Sequence, residues 1–562
     1  MHQPFRTASR SSRRRWARTA APVGLAAVLT CSAVGCTAAP GDVGPGISGT
    51  ARSSTSSDSD AVQNAPAATL ATTTEAVAII PTGTAGELSL AISRALFATA
   101  PVVVVAPSDD EAGLRDGSAA ATRLGVPLLL VDADGQTGSG ASPSTPATTS
   151  TPATPAVGST SAPTPSTLEP ALSAEIARLG ARSVLATSPS LARRLSRVPN
   201  VQVVTEPGGL PPVSRGPANS TLTVLVRKGD DGSGSAAVTA SAAAAGAAVV
   251  PVTGNDPRAD PAAIAALAKS RPKQVLAVGD AFGPVDRLSA RLRVAETGIQ
   301  LPGGGQTLFP GRRLVALYGH PGTSSLGVLG EQGLSASISR AKKLAAEYAP
   351  LSTEPVVPAF EIIATTAQRE AGPDGDYSGE SSVSSLRPWV EAARQAGVYV
   401  VLDLQPGRAD FLDQAKRYRD LLLLPNVGLA LDPEWKLAPG QRPLAQIGGV
   451  DAAEVNSVIT WLADLTSKEA LPQKLLVLHQ FRLSMLRDEK RIDTGRDEVQ
   501  VLVHMDGQGT PALKDGTWRG VTGAAPKGMP FGWKNFYDED EPMLTPAQTM
   551  AKRPKPFMVS YQ

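Results

Sequence analysis

Six apolar runs in the second half of the chain close on side chains able to move protons or hold a ligand. LVALYGH ends at His320, VVPAFE at Glu361, VYVVLD at Asp403, VGLALDPE at Asp432 and Glu434, KLLVLH at His479, and VQVLVHMD at His504 and Asp506. Carboxyl groups brought close repel unless a proton, a metal or a cationic ligand is shared among them, so such a set is suited to acid and base work. Buried parallel strands that each place a polar residue at the carboxyl end build a pocket when they close into a (β/α)8 barrel, because the loops converge on that rim.

Strand-like segments recur at Leu314 to Tyr318, Val356 to Ile363, Val398 to Leu402, Val427 to Leu431, Leu475 to Leu478, Val499 to Val503, Trp533 to Phe536 and Phe557 to Tyr561. Helical patterns separate most of them: Ser335 to Tyr348, Leu386 to Ala396, Asp410 to Leu423 and Ala452 to Leu465. Eight strands over residues 311–562 fit one irregular (β/α)8 barrel of the TIM type, with a degenerate seventh unit. The composition changes at its start, since all 7 tyrosines and every tryptophan except Trp16 lie beyond Gly311.

Within the barrel, Asp432 and Glu434 in GLALDPEW stand two apart, a spacing that points both carboxyls one way on an extended segment. Trp435 beside them offers an apolar wall that raises a carboxyl pKa. The arrangement resembles the fourth-strand acid of many barrel glycoside hydrolases. That resemblance implies Glu434 as general acid, Asp432 as its neighbour, and Asp506 or Asp538 of NFYDEDEP as the second carboxylate. Glu361, Asp403, His320, His479, Gln480, His504 and Trp435 are then expected to bind substrate. Each has a plainer reading as a cap, a loop ion pair or a hydrogen-bonded core group. The acids and histidines also fit a metal-dependent hydrolase, but neither a His-x-His nor a His-x-x-x-His pair occurs, and we expect no metal and no cofactor. Asp374 and Asp376, in the long polar loop after the second strand, lack the full spacing of a calcium loop. No Gly-x-Ser-x-Gly elbow is seen.

Upstream, residues 71–310 alternate apolar runs with Ala-rich amphipathic ones, which indicates a doubly wound parallel α/β domain. The strands are Val77 to Ile80, Val102 to Ala106, Val126 to Asp132, Ser183 to Ser188, Val201 to Val204, Leu222 to Arg227, Ala247 to Val252 and Gln274 to Asp280. A Pro- and Thr-rich insert at 135–167 interrupts them. LPGGGQ (Leu301 to Gln306) follows no strand and opens no helix, so it is not read as a phosphate loop. The units LGVPLLLVD, LGARSVLATS and VLAVGDAFGP resemble cell wall-binding repeat type 2 modules of Gram-positive surface proteins, although Gly279-Asp280 stands where that pattern has Gly-Gly. A Rossmann-like region that holds the wall is what this resemblance implies.

The first 36 residues have the form of an export signal: Arg13, Arg14, Arg15 and Arg18, then the run APVGLAAVLTCSAVG, then Cys36. AVGC resembles the lipobox of bacterial lipoproteins, with Ala33 where leucine is usual; this implies lipidation of Cys36 and attachment to the outer face of the cell membrane. Residues 37–70, rich in Ser, Thr, Ala, Gly and Pro, are expected to be a tether. With Cys31 and Cys36 the only cysteines, thiol and Cys-ligated zinc chemistry drop out beyond that point. A net charge of +2 with 19% charged residues and no long basic block excludes a nucleic-acid partner. The expected partners are an envelope glycan and, through the lipid, the membrane. The active version is a surface-anchored glycosidase, and the competing version is a wall-binding protein that cuts nothing.

Overall fold

The structure, a computed structural model, describes residues 65–72, 74–132 and 168–562. The expected signal segment, Cys36, most of the tether and the insert lie outside the described residues. No helix among the described residues is long and apolar enough to cross a membrane.

The eight upstream strands read from the sequence are parallel but fall into two four-stranded sheets instead of one, and Thr69–Leu70 adds a short antiparallel pair with Phe97–Thr99. The first runs Val77–Ile80, Gln274–Val278, Leu222–Arg227, Ala248–Val252; the second runs Leu128–Val131, Val102–Pro107, Ser183–Ala186, Gln202–Val204. Helix Ser233–Ala244, SGSAAVTASAAA, has small or apolar residues on nearly every face and is covered on most of its circumference, with Thr239 left exposed. It packs against helices Ala85–Leu96 and Glu111–Leu124 and reaches a strand of each sheet. Close approach is possible because Gly234 meets Ala85, where a Cβ would come within 3.2 Å of that residue's Cα. Side chains from both sheets and these helices form one core.

The barrel follows. Its strands, in chain order, are β1 (Arg313–Gly319), β2 (Val356–Ala367), β3 (Tyr399–Leu404), β4 (Val427–Leu431), β5 (Lys474–His479), β6 (Val499–Met505), β7 (Phe531–Asn535) and β8 (Met558–Tyr561). Each pairs in parallel with the next, and β1 pairs with both β2 and β8, which closes the ring. The seventh strand is a full member, but its unit is reduced to the five-residue helix Pro546–Met550; the fifth unit has no α-helix, and 3-10 turns at Leu483–Met485 and Glu489–Arg491 with the short strand Leu486–Arg487 join β5 to β6. The end of β2 also turns back to pair with Ser378–Glu380 in an antiparallel hairpin above the rim.

The period of two along each strand sorts its side chains. Leu314, Ala316, Val357, Ala359, Tyr399, Val401, Ala430, Leu475, Val477, Leu502 and Met558 pack together inside the ring. The alternating set, among them Leu317, Phe360, Leu402, Leu431, Leu478, Val503 and Trp533, packs outward against the helices. The Gly-rich loop lies beneath this interior: Leu301 and Leu308 join its core, and Gly303, Gly304 and Gly305 turn with φ of 88°, 88° and 71°. Arg312, buried, donates to the carbonyls of Pro302, Gly304 and Thr307, fixing the loop as a floor. At this lower end the two parts of the chain are joined by charge. Asp497 accepts from Arg287 and Arg291 (2.8 Å from Arg291 Nε), and Arg258 donates to the Asp497 carbonyl at 3.1 Å.

Candidate active site

Continuing the inward alternation by one step above the apolar layers places a polar side chain on every strand. These are Tyr318 on β1, Glu361 on β2, Asp403 on β3, His479 on β5, His504 on β6, Lys534 on β7 and Ser560 on β8, with Asp432 just past β4. The sequence thus builds two stacked interiors with one rule, aliphatic at the floor and polar at the carboxyl ends. Gly532 makes room for the ring of His504, since a Cβ there would stand 2.5 Å from His504 Cδ2.

His479 is the hinge of the arrangement. Its Nε2 lies 3.0 Å from Glu361 Oε1 and its Nδ1 3.0 Å from Asp506 Oδ2, with Asp403 Oδ1 3.8 Å from Nε2. Burial disfavours a charged imidazole, but Glu361 and Asp506 outweigh it and hold the His479 pKa well above its ordinary value. Both ring nitrogens therefore donate, one to each carboxylate. In return, and against burial, the imidazolium keeps Glu361 ionised, its pKa down at about 2, and holds Asp506 below the usual carboxylate range. His504 is the opposite case. Burial drives its pKa down to about 3, so it is neutral, with Nε2 3.1 Å from Ser560 Oγ.

The remaining acids are shifted the other way. Burial, aided by the charge on Glu361, pushes Asp403 up to about 6 although His479 pulls the other way. Tyr318, a neutral phenol, donates to Asp403 Oδ2 at 2.9 Å, and the Lys534 ammonium stands 3.5 Å from the centre of the Tyr318 ring. Asp432 is raised well above its ordinary value by burial and by Glu434. Glu434 is raised to about 7 by burial and then by Asp506. The segment is not extended as the spacing suggested: Pro433–Trp435 form a 3-10 turn, yet the two carboxyls still act on one another. Glu434 and Trp435 are half-buried, whereas Glu361, Asp403, His479 and His504 are fully enclosed, so Glu434 is the acid nearest solvent.

Several of these groups have polar atoms left over. Among the described residues none hydrogen-bonds Glu361 Oε2, Asp403 Oδ1, Asp432 Oδ1, Asp506 Oδ1, His504 Nδ1 or the Trp435 indole nitrogen, all of them buried. Such atoms are rare in cores and are the usual sign of a place built for a ligand.

Three of the expected residues lie elsewhere. Gly319, at φ 144°, ends the alternation of β1, so His320 falls outside the ring; its Nδ1 accepts from the Gly322 amide at 3.0 Å and its Nε2 lies 3.2 Å from Ser381 Oγ. Gln480 has the opposite parity from His479 and donates to Glu489 at 3.1 Å. Asp538 is exposed. The buried acid of its loop is Asp540, which pairs with Lys514 and accepts from the amides of Phe536 and Gly509, each at 3.0 Å. Lys514 also donates to the Lys534 carbonyl at 2.7 Å, so this pair braces the strand that carries Lys534. Tyr318, Lys534 and Ser560 are the members that sequence reasoning missed. The parity of LVALYGH gives Tyr318, two before His320, whereas Lys534 sits in FGWKN among aromatics with little alternation to place it.

Both nitrogens of His479 are already engaged by carboxylates. The described residues gather three possible ligand atoms within 4.8 Å of one another only at Asp374, Asp376 and Glu380, in the loop and strand of the rim hairpin, and Glu380 there lies 3.4 Å from Arg417. No protein-family profile matches the chain, and no curated protein sequence matches it.

Proposed function

We propose that the barrel is a glycoside hydrolase acting on cell-envelope polysaccharide. The observation that carries this reading is the split in protonation at one mouth, where half-buried Glu434 keeps its proton up to about pH 7 beside an Asp506 that His479 keeps ionised. Two carboxyl groups driven apart in this way supply an acid and a base, or an acid and a nucleophile, at the same pH. Glu434 gives its proton to the glycosidic oxygen as the bond to the anomeric carbon breaks. The Asp506 carboxylate either attacks that carbon or takes a proton from the attacking water. His479 and Glu361 are positioning residues that hold Asp506 in its ionised form, and Tyr318 orients Asp403.

The rim is furnished for a sugar chain. Leu444, Leu483 and Tyr537, all exposed, follow β4, β5 and β7, and exposed Leu513 opens the helix after β6; half-buried Trp435 and Phe481 also follow β4 and β5. Apolar and aromatic side chains gathered at a pocket mouth are the usual platform for the flat faces of pyranose rings. In this reading the parallel sheets upstream are a Rossmann-like module similar to cell wall-binding repeats of type 2, and Cys36 carries the lipid that fixes the protein outside the membrane. The test is hydrolysis of a panel of envelope glycans by the native chain and by Glu434→Gln. Turnover lost in the variant with an unchanged melting temperature supports the assignment; glycan binding without turnover in either protein supports the wall-binding reading instead.

A further inference from the structure

The upper ring carries more acid than its cations can balance. His479 is shared by Glu361 and Asp506, one on each ring nitrogen. That leaves Asp403, Asp432 and Glu434 with Lys534, whose ammonium rests on the Tyr318 ring, and with a distant share of His479, whose Nε2 is 3.8 Å from Asp403 Oδ1. The nearby cation Lys514 is already paired with Asp540. Asp403 and Asp432 are 0% and 2% exposed, and each keeps an oxygen, Oδ1, that no described residue hydrogen-bonds. These are two enclosed carboxyl groups on neighbouring strands, and neither has a cation within hydrogen-bond reach of its Oδ1.

We propose that the pocket binds a sugar bearing a free protonated amine, a de-N-acetylated hexosamine residue, with its ammonium against Asp403 and Asp432. This rests on the glycan reading above and narrows it. A hydroxyl donates one hydrogen bond and leaves the surplus of acid in place. An N-acetyl group donates one N–H, carries no charge, and brings a carbonyl oxygen that a carboxylate repels. An ammonium donates three and supplies the charge, so its binding displaces a proton that the carboxyls otherwise keep.

The experiment is titration calorimetry of the native chain at pH 7.5 with three tetrasaccharides: glucosamine, N-acetylglucosamine and glucose. The expected result is at least tenfold tighter binding of the amine form. Its heat should vary with the ionisation enthalpy of the buffer, showing proton release, and the preference should shrink at pH 5 as the carboxyls hold their protons more firmly. Asp432→Asn should reduce the preference to below threefold; a melting curve checks that the variant is folded, and Asp403→Asn serves if it is not. Equal or tighter binding of either uncharged tetramer overturns the proposal. Glu434-dependent cleavage of neutral glycans without amine preference overturns it while sparing the hydrolase reading. Amine-selective binding with no cleavage does the reverse, and no binding of any of the three overturns both.

Discussion

Buried acids in the upstream sheets and in the upper ring of the barrel are treated in opposite ways. Glu175, in helix Leu168–Arg178, is fully enclosed and accepts from Ser93 at 2.7 Å, Arg94 at 3.1 Å and Arg178 at 2.7 Å. Asp260 accepts from Lys228, from the amide and hydroxyl of Thr253, and from the amides of Ala262 and Ala263. In the barrel, Glu361, Asp403, Asp432 and Asp506 each keep an oxygen without a donor among the described residues. A satisfied buried charge fixes the fold, whereas an unsatisfied one costs about 1–3 kcal/mol and persists where a ligand supplies what is missing. Within one chain the contrast separates what holds the structure from what uses it.

The largest effect should come from the acid at the mouth. Glu434→Gln removes a general acid and should lower kcat by about 10²–10⁴-fold, with the melting temperature unchanged or slightly raised because a buried acid is gone. In the native chain, activity should fall as pH rises past about 7, where Glu434 loses its proton, and hold on the acid side down to the low range where Asp506 takes one up. A pH profile in which activity rises through 7 would assign the acid role to another group.

Next in size is the imidazolium between two carboxylates. His479→Ala leaves Glu361 and Asp506 buried without their cation and should destabilise the fold by about 3–5 kcal/mol in thermal or urea unfolding. The linkage to pH follows from the directions. The raised pKa of His479 stabilises fully below about pH 6.5, the ordinary histidine value, and that gain is lost as pH climbs through the folded value. The lowered pKa of Glu361 stabilises above about pH 4.3 and is lost toward pH 2. Asp403 and Glu434 hold protons in the fold that the unfolded chain releases, so between about pH 4 and their folded values of about 6 and about 7 they make stability decline with pH. The ring should therefore melt at a higher temperature at pH 5 than at pH 8, and a double variant Asp403→Asn, Glu434→Gln should flatten that slope.

The barrel and most of its ring were legible because both depend on period-two alternation, which residues such as those of KLLVLH and VYVVLD display without interruption. What alternation alone cannot show is where it stops. Gly319 ends it one residue before His320, and Pro433 turns the chain between Asp432 and Glu434, so His320 left the site while the two acids still meet. Lys534 was hidden for a related reason: FGWKN has aromatic bulk on its outward face and a glycine on its inward one, which weakens the pattern that would have marked it. The division of the upstream strands into two sheets depends on which faces helix Ser233–Ala244 covers, and a run of alanines looks the same from every side. Cys36 and the insert at 135–167 fall outside the described residues.

A smaller effect tests the other half of the contrast. Glu175→Ala removes a charged acceptor from Ser93 and Arg178, while both arginines can still reach solvent, so the loss should be about 1.5–3 kcal/mol in unfolding with kcat unchanged. A change in turnover would mean that the upstream sheets communicate with the ring.

The last comparison is the most discriminating, because Asp538 and Asp540, two of the four acids of NFYDEDEP, are two residues apart and differ only in environment. Asp540 is enclosed with Lys514 and tied to two backbone amides, so Asp540→Asn should strip Lys514 of its counter-charge, loosen the strand end that carries Lys534 and cost about 3–5 kcal/mol. Asp538 is exposed, and Asp538→Asn should change stability by less than about 0.5 kcal/mol. Its carboxylate is the sequence-based alternative to Asp506 as partner of Glu434. Turnover by Asp538→Asn within twofold of native, beside a collapse of turnover in Asp506→Asn, assigns the second carboxylate to the group that His479 holds. The reverse pattern would require the loop to fold over the mouth during the reaction, and would move the catalytic pair from the rigid ring to the rim.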